Sequence, residues 1–162
     1  MANASQKTQA TEDLRRQRLE SAIEEMLATY PYLIEEGLPR PRQQVEISPR
    51  DRTDLLFEGI KKPLLVEIKA GLCDVPSVRQ ILRYLNILTP EYPRIRGILI
   101  GKRISPGAAR LLSTQATLLT FLALNQDIPT SVLICAECRR AYCSRKTACP
   151  YVDCGSNEII AI

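Results

Sequence analysis

The chain predicts an α/β layered domain with a mixed central sheet flanked by helices, followed by a small C-terminal metal-binding module. Three observations carry this expectation. Segments with apolar residues at helical spacing alternate with short, strongly apolar runs, which is the pattern of helices laid against a sheet. Two of those runs, TDLLF and PLLVEIK, sit close enough to form a hairpin. After residue 134 the composition changes, with Cys135, Cys138, Cys143, Cys149 and Cys154 crowded together. A chain of 162 residues has room for a single core and a small appendage. The boundaries read as a disordered tail at 1–12, the α/β domain at 13–128 and the cysteine module at 129–162.

The elements follow in order. From Asp13 to Tyr30, Leu19, Ile23, Met26 and Leu27 recur as one helix face, and Pro31 ends the helix. The segment GLPRPRQQ breaks regular structure before a strand at Gln44–Ile47. Asp54–Phe57 and Leu64–Lys69 are the hairpin strands, with Gly59 in the connector available for a positive φ. Pro76 suits a first helical turn, and Val78, Ile81, Leu82, Leu85 and Leu88 continue that helix to Pro90. Gly97–Ile100 is an apolar strand for a sheet interior, Ser105-Pro106 starts a third helix through Leu112, and Thr117–Leu124 closes the sheet.

Charge and composition narrow the function. No apolar run approaches the ~18 residues of a membrane-spanning helix, and the N-terminus lacks the apolar stretch of a secretory signal, so a reducing cytoplasm is expected. In that setting six cysteines point to metal ligation before disulfides. Histidine is absent, which removes the catalytic triads that depend on it. Hydrolytic chemistry would then rest on carboxylates, lysine and metal. Arginines cluster at Arg15, Arg16 and Arg18 and again at Arg40, Arg42, Arg50 and Arg52, a pattern that suits an anionic partner such as DNA and equally describes a solvated face.

Three charges interrupt the hairpin: Asp54, Glu67 and Lys69. Glu67 and Lys69 are two apart, so they share a face of their strand, and antiparallel pairing lets Asp54 reach the same patch. Acids in so apolar a strand are costly unless they are paired or hold a metal. Two carboxylates beside an ammonium suit a hard divalent cation and phosphodiester hydrolysis; a structural ion pair of Lys69 with either acid fits the spacing as well. In the tail, Cys135 and Cys138 form one knuckle and Cys149 and Cys154 a second, a thiolate set that selects zinc. An iron-sulfur cluster on Cys135, Cys138, Cys143 and Cys149 is the alternative. Cys73 stands apart and reads as a small buried apolar residue.

Taken together, TDLLF, LVEIKAG and VRQILRYL resemble the PD-(D/E)xK nuclease superfamily, in particular its RecB-like branch and the catalytic domain of the NucS/EndoMS endonucleases. The resemblance covers about Leu19 to Leu124 and implies a restriction-endonuclease-like fold. It implies that Asp54 and Glu67, with the carbonyl of Ile68, bind Mg2+ or Mn2+, and that Lys69 positions or deprotonates the attacking water. Gln80 and Tyr84 match the family's Gln-x3-Tyr element and would orient Lys69 or grip a phosphate, while Tyr84 also fits simple packing on the sheet. In the opening helix both Glu20 and Glu24 fit the family's further glutamate, with Glu20 preferred. Thr53 stands where the superfamily's name places proline. The tail is similar to a zinc ribbon, with a longer second knuckle that leaves room for Cys143 as a ligand. The implied function is a metal-dependent DNA nuclease of repair, recombination or restriction type, in which a homodimer would let two sites cut both strands. A non-catalytic nucleic-acid- or protein-binding adaptor that works through the zinc ribbon is the competing reading.

Overall fold

Leu64, Leu65, Val66, Glu67 and Ile68 are all buried, as the near-continuous apolar run demands of a strand covered on both faces. The computed structural model describes residues 4–128 together with the strands Val132–Cys135, Ala141–Cys143 and Ile159–Ala161, with side chains described for residues 8–128. In chain order the elements are α1 (Ala4–Thr29), a 3-10 turn (Pro31–Leu33), β1 (Arg42–Ser48), β2 (Asp51–Phe57), β3 (Leu64–Ile68), β4 (Leu72–Cys73) and α2 (Val75–Leu88). They continue with β5 (Arg96–Gly101), β6 (Arg103–Ile104), α3 (Pro106–Ser113), β7 (Leu119–Ala123) and the three further strands β8, β9 and β10.

The main sheet has the order β1-β2-β3-β5-β7. Pairs β1/β2 and β2/β3 are antiparallel, whereas β3/β5 and β5/β7 are parallel, so the sheet is mixed as expected. The hairpin between β2 and β3 turns at Gly59, whose φ of 73° is the left-handed conformation that glycine adopts without a Cβ clash. On one face Ile23, Leu27 and Ala28 of α1 pack with Phe57, Val66, Ile68 and Ile100. On the other, Val78, Ile81 and Leu85 of α2 and Ala108 of α3 pack with Leu56, Leu65 and Leu99. Each face thus uses alternate residues of the same strands.

Helix α2 starts with a reciprocal cap: the Asp74 carboxylate accepts from the Ser77 amide at 3.0 Å, and Ser77 Oγ accepts from the Asp74 amide. We expect Asp74→Ala to lower stability by about 1 kcal/mol in urea unfolding, the usual cost of a lost N-cap acceptor. Ser105 caps α3 in one direction, accepting from the Ala108 amide at 3.2 Å.

Four features differ from the sequence expectation. Helix α1 begins at Ala4, not near Asp13, because neither glycine nor proline interrupts residues 4–29. Residues 8–19 of α1 are exposed and Leu19 is outside the core; the buried face begins at Ile23. The first two strands are longer than expected: β1 begins at Arg42, not at Gln44, and β2 at Asp51, not at Asp54. Strands β4 and β6, two residues each and paired in parallel, are too short to leave a periodic signal. In the tail, β10, β8 and β9 form an antiparallel sheet in that order, with Cys135 ending β8 and Cys143 ending β9. Cys138, Cys149 and Cys154, and with them the expected zinc ligand set, lie outside the described residues.

No helix among the described residues is long and apolar enough to cross a membrane. Cys73 is fully buried, its thiol directed at the Ile100 carbonyl, and burial pushes its pKa up to about 12, which leaves a neutral packing residue.

Candidate active site

Antiparallel pairing of Leu55 with Val66 brings Asp54 of β2 beside Glu67 of β3, near the C-terminal end of β3. Ile68 donates its amide to Asp54 Oδ2 at 2.7 Å, which anchors that carboxylate to the neighbouring strand. Glu67 is 3% exposed, and its Oε1 accepts from Lys69 Nζ at 2.9 Å and from Gln80 Nε2 at 2.8 Å. Its Oε2 is buried without a hydrogen-bond partner. An orphaned carboxylate oxygen in a buried site is expensive, and it marks a group arranged for something other than stability.

Helix α2 supplies the next layer. Gln80 Nε2 also donates to Tyr84 Oη at 2.7 Å, one helical turn away. Tyr84 is 4% exposed and its ring belongs to the core, so packing and site contact are both true of it. Gln80 therefore steadies Glu67 and not Lys69, since it and the ammonium converge on the same oxygen. Helix α1 approaches from the other side: Glu20 Oε1 accepts from the Ala70 amide at 2.8 Å, and Glu24 reaches the site through Gln44. The two glutamates are thus both present, Glu20 against the backbone that follows Lys69 and Glu24 toward Asp54.

Acids outnumber the cation, and the electrostatics follow. Burial raises the Glu67 pKa to about 7, Asp54 adds repulsion, and Lys69 only partly offsets both. Burial also raises Asp54, against the lowering effect of the Ile68 amide, and it raises Glu24. Burial disfavours the Lys69 charge, but Glu67, Asp54 and Glu20 outweigh it and hold the lysine above its ordinary range. The two members of the ion pair shift upward for different reasons: Glu67 chiefly because it is buried and then because Asp54 repels it, Lys69 because several carboxylates surround it. The surrounding carboxylates thus favour the charged form of Lys69.

Among the described residues no three His, Cys, Asp or Glu side chains form a metal cage. The oxygen donors suited to a hard cation are the two carboxylates of Asp54 and Glu67 and the main-chain carbonyl of Ile68, and the partnerless Glu67 Oε2 fits such an ion. Gln44 is the residue that sequence reasoning missed. Its neighbours Gln43 and Val45 pair with Leu55 and Thr53, so it stands opposite Asp54 across β1/β2, a placement that only the register discloses.

A mixed sheet with an acid on one strand, Glu-x-Lys on the next and Gln-x3-Tyr on the following helix defines an α/β domain of the PD-(D/E)xK nuclease kind. Residues 19–135 match the family described as the endonuclease NucS C-terminal domain, and the chain belongs to that family. It is 31% identical over 99 residues to endonuclease NucS of Methanocaldococcus jannaschii, a stretch that covers 59% of this chain and 37% of that protein. Among solved structures it resembles a repair endonuclease from Pyrococcus abyssi, with a TM-score of 0.57 and 27% identity over 64% of this chain and 46% of that one. It also resembles EndoMS in a complex with double-stranded DNA, with a TM-score of 0.56 and 26% identity over 64% of this chain and 44% of that one. The chain spans less than half the length of these relatives.

Proposed function

We propose that this chain is a Mg2+- or Mn2+-dependent DNA endonuclease of repair. The observation that carries the reading is the buried, half-satisfied Glu67 carboxylate, which lies beside Asp54 and accepts from Lys69 at 2.9 Å. The repair endonuclease and DNA-bound EndoMS that the fold resembles support the same substrate class.

Asp54, Glu67 and the Ile68 carbonyl would hold the cation. When bound, it would supply Lewis-acid activation of water and charge stabilisation at the scissile phosphate. The protein's own groups do the rest. Lys69, charged and tied to Glu67, presents N–H donors toward the reacting phosphate and offsets the negative charge that builds there. Gln80 fixes Glu67 Oε1, and Tyr84 fixes Gln80, so the Glu67 carboxylate keeps one orientation. Exposed Arg40 precedes β1, Arg50 lies in the turn between β1 and β2 and Arg52 near the start of β2, where they can track a DNA backbone without reading its sequence; Arg42 of the same cluster pairs with Glu58 at 3.2 Å. Zinc held by Cys135, Cys138, Cys149 and Cys154 would stabilise the tail.

Labelled single-stranded, duplex, mismatched and branched DNA incubated with Mg2+ or Mn2+ tests this reading. Wild-type protein is expected to cut at least one of them, and Lys69→Ala to reduce the rate on the order of 10^2–10^3-fold, the range seen when one transition-state donor is removed. Binding of DNA without cutting by wild-type protein would favour the adaptor instead.

A further inference from the structure

Among the described residues Gln44 is one of two non-glycine residues with a positive φ, and the other, Asn125, is not among the site residues. Gln44 lies inside β1, yet its φ is 49°, a left-handed conformation that a glutamine adopts only when something else holds it there. What holds it is its side chain. The Gln44 carboxamide donates to Glu24 Oε2 at 2.6 Å and to Asp54 Oδ1 at 3.2 Å. Both partners are carboxylates, which accept and do not donate at neutral pH, so the amide nitrogen has to face them and both of its hydrogens are spent. Register places the residue directly opposite Asp54.

These contacts complete the setting of Asp54. Its Oδ2 is fixed by the Ile68 amide and its Oδ1 by Gln44, one donor from each flanking strand, which leaves the carboxylate little freedom to rotate. The same amide stands between Asp54 and the 9% exposed Glu24 and gives the latter a donor, so a second acid can approach the site without displacing the first. We propose that Gln44 is a positioning residue: its strained backbone aims one carboxamide at two acids and thereby sets the orientation in which Asp54 meets a divalent cation. The proposal rests on the nuclease reading above.

Gln44→Gly separates this role from a structural one, because glycine relieves the left-handed backbone while it deletes the amide. The variant is expected to stay folded and melt within a few degrees of wild type, because relief of the left-handed backbone offsets part of the cost of the donor lost to Glu24 and Asp54. Its kcat for DNA cleavage is expected to fall about 10–100-fold, with KM for DNA within about twofold, and its Mn2+ affinity, measured by calorimetry without DNA, to weaken over a similar range, as for other groups that orient metal ligands. Gln44→Asn keeps a side chain that tolerates positive φ but shortens its reach; it is expected to show the same losses and serves if the glycine variant folds poorly. Wild-type kcat and Mn2+ affinity in both folded variants would overturn the inference while wild-type cutting leaves the nuclease reading intact. A wild-type protein that neither cuts DNA nor binds Mn2+ would overturn the two together.

Discussion

Glu67→Ala is expected to reduce DNA cleavage on the order of 10^2–10^3-fold or more while the fold survives. The carboxylate is the hub of the site: Lys69 and Gln80 both donate to its Oε1, its Oε2 is the partnerless oxygen, and Asp54 lies beside it. Truncation removes a cation ligand and the acceptor that aims Lys69 in one step. Stability should not fall with activity, because a buried acid short of positive charge opposes folding near neutral pH. Lys69 keeps Asp54 and Glu20 as neighbouring acids, so its charge is not abandoned in the interior. Melting temperature and single-turnover cleavage, measured on the same preparation, check the result. Loss of both together would reduce Glu67 to a structural ion pair.

The second expectation concerns pH in the absence of metal. The Glu67 pKa is pushed up to about 7 from its ordinary 4.5, chiefly by burial. The folded state therefore binds this proton more tightly than the unfolded chain does. The resulting stability is fully present below the unfolded value of 4.5, declines as pH rises, and is gone once pH passes the folded value near 7. The difference amounts to about 3 kcal/mol. Glu67→Gln removes the titration and keeps the shape, so in a chelating buffer it should gain on wild type by about that amount between pH ~5 and pH ~8. Urea unfolding of both proteins across this range isolates Glu67, since the remaining acids are common to the two. Parallel curves at all pH values would show that the carboxylate already ionises freely in the folded state.

Much of this was legible in the sequence, for identifiable reasons. Strand β3 and helix α2 were plain because an unbroken apolar run and a helical repeat each have a single comfortable burial. Spacing puts Glu67 and Lys69 on one face of β3 and strand pairing brings Asp54 to them, whereas Gln80 and Tyr84 are legible only through the family resemblance. Gln44 was not, since neither its φ nor its place opposite Asp54 follows from local sequence; both arise when β1 pairs with β2. The same holds for the division of labour between Glu20 and Glu24, which depends on how far α1 slides along the sheet. The upward shift of Lys69 is hidden for another reason: it reflects the sum of charges from three elements, and no motif counts them.

Calorimetric titration of Mn2+ into wild-type protein and Glu67→Gln, in the absence of DNA, goes to the heart of the site. If the buried carboxylates of Asp54 and Glu67 exist to share a divalent cation, the wild-type protein binds Mn2+ and the glutamine variant, though better folded above neutral pH, loses that binding. Equal Mn2+ affinity in the two proteins would contradict it and leave Glu67 as no more than the partner of Lys69.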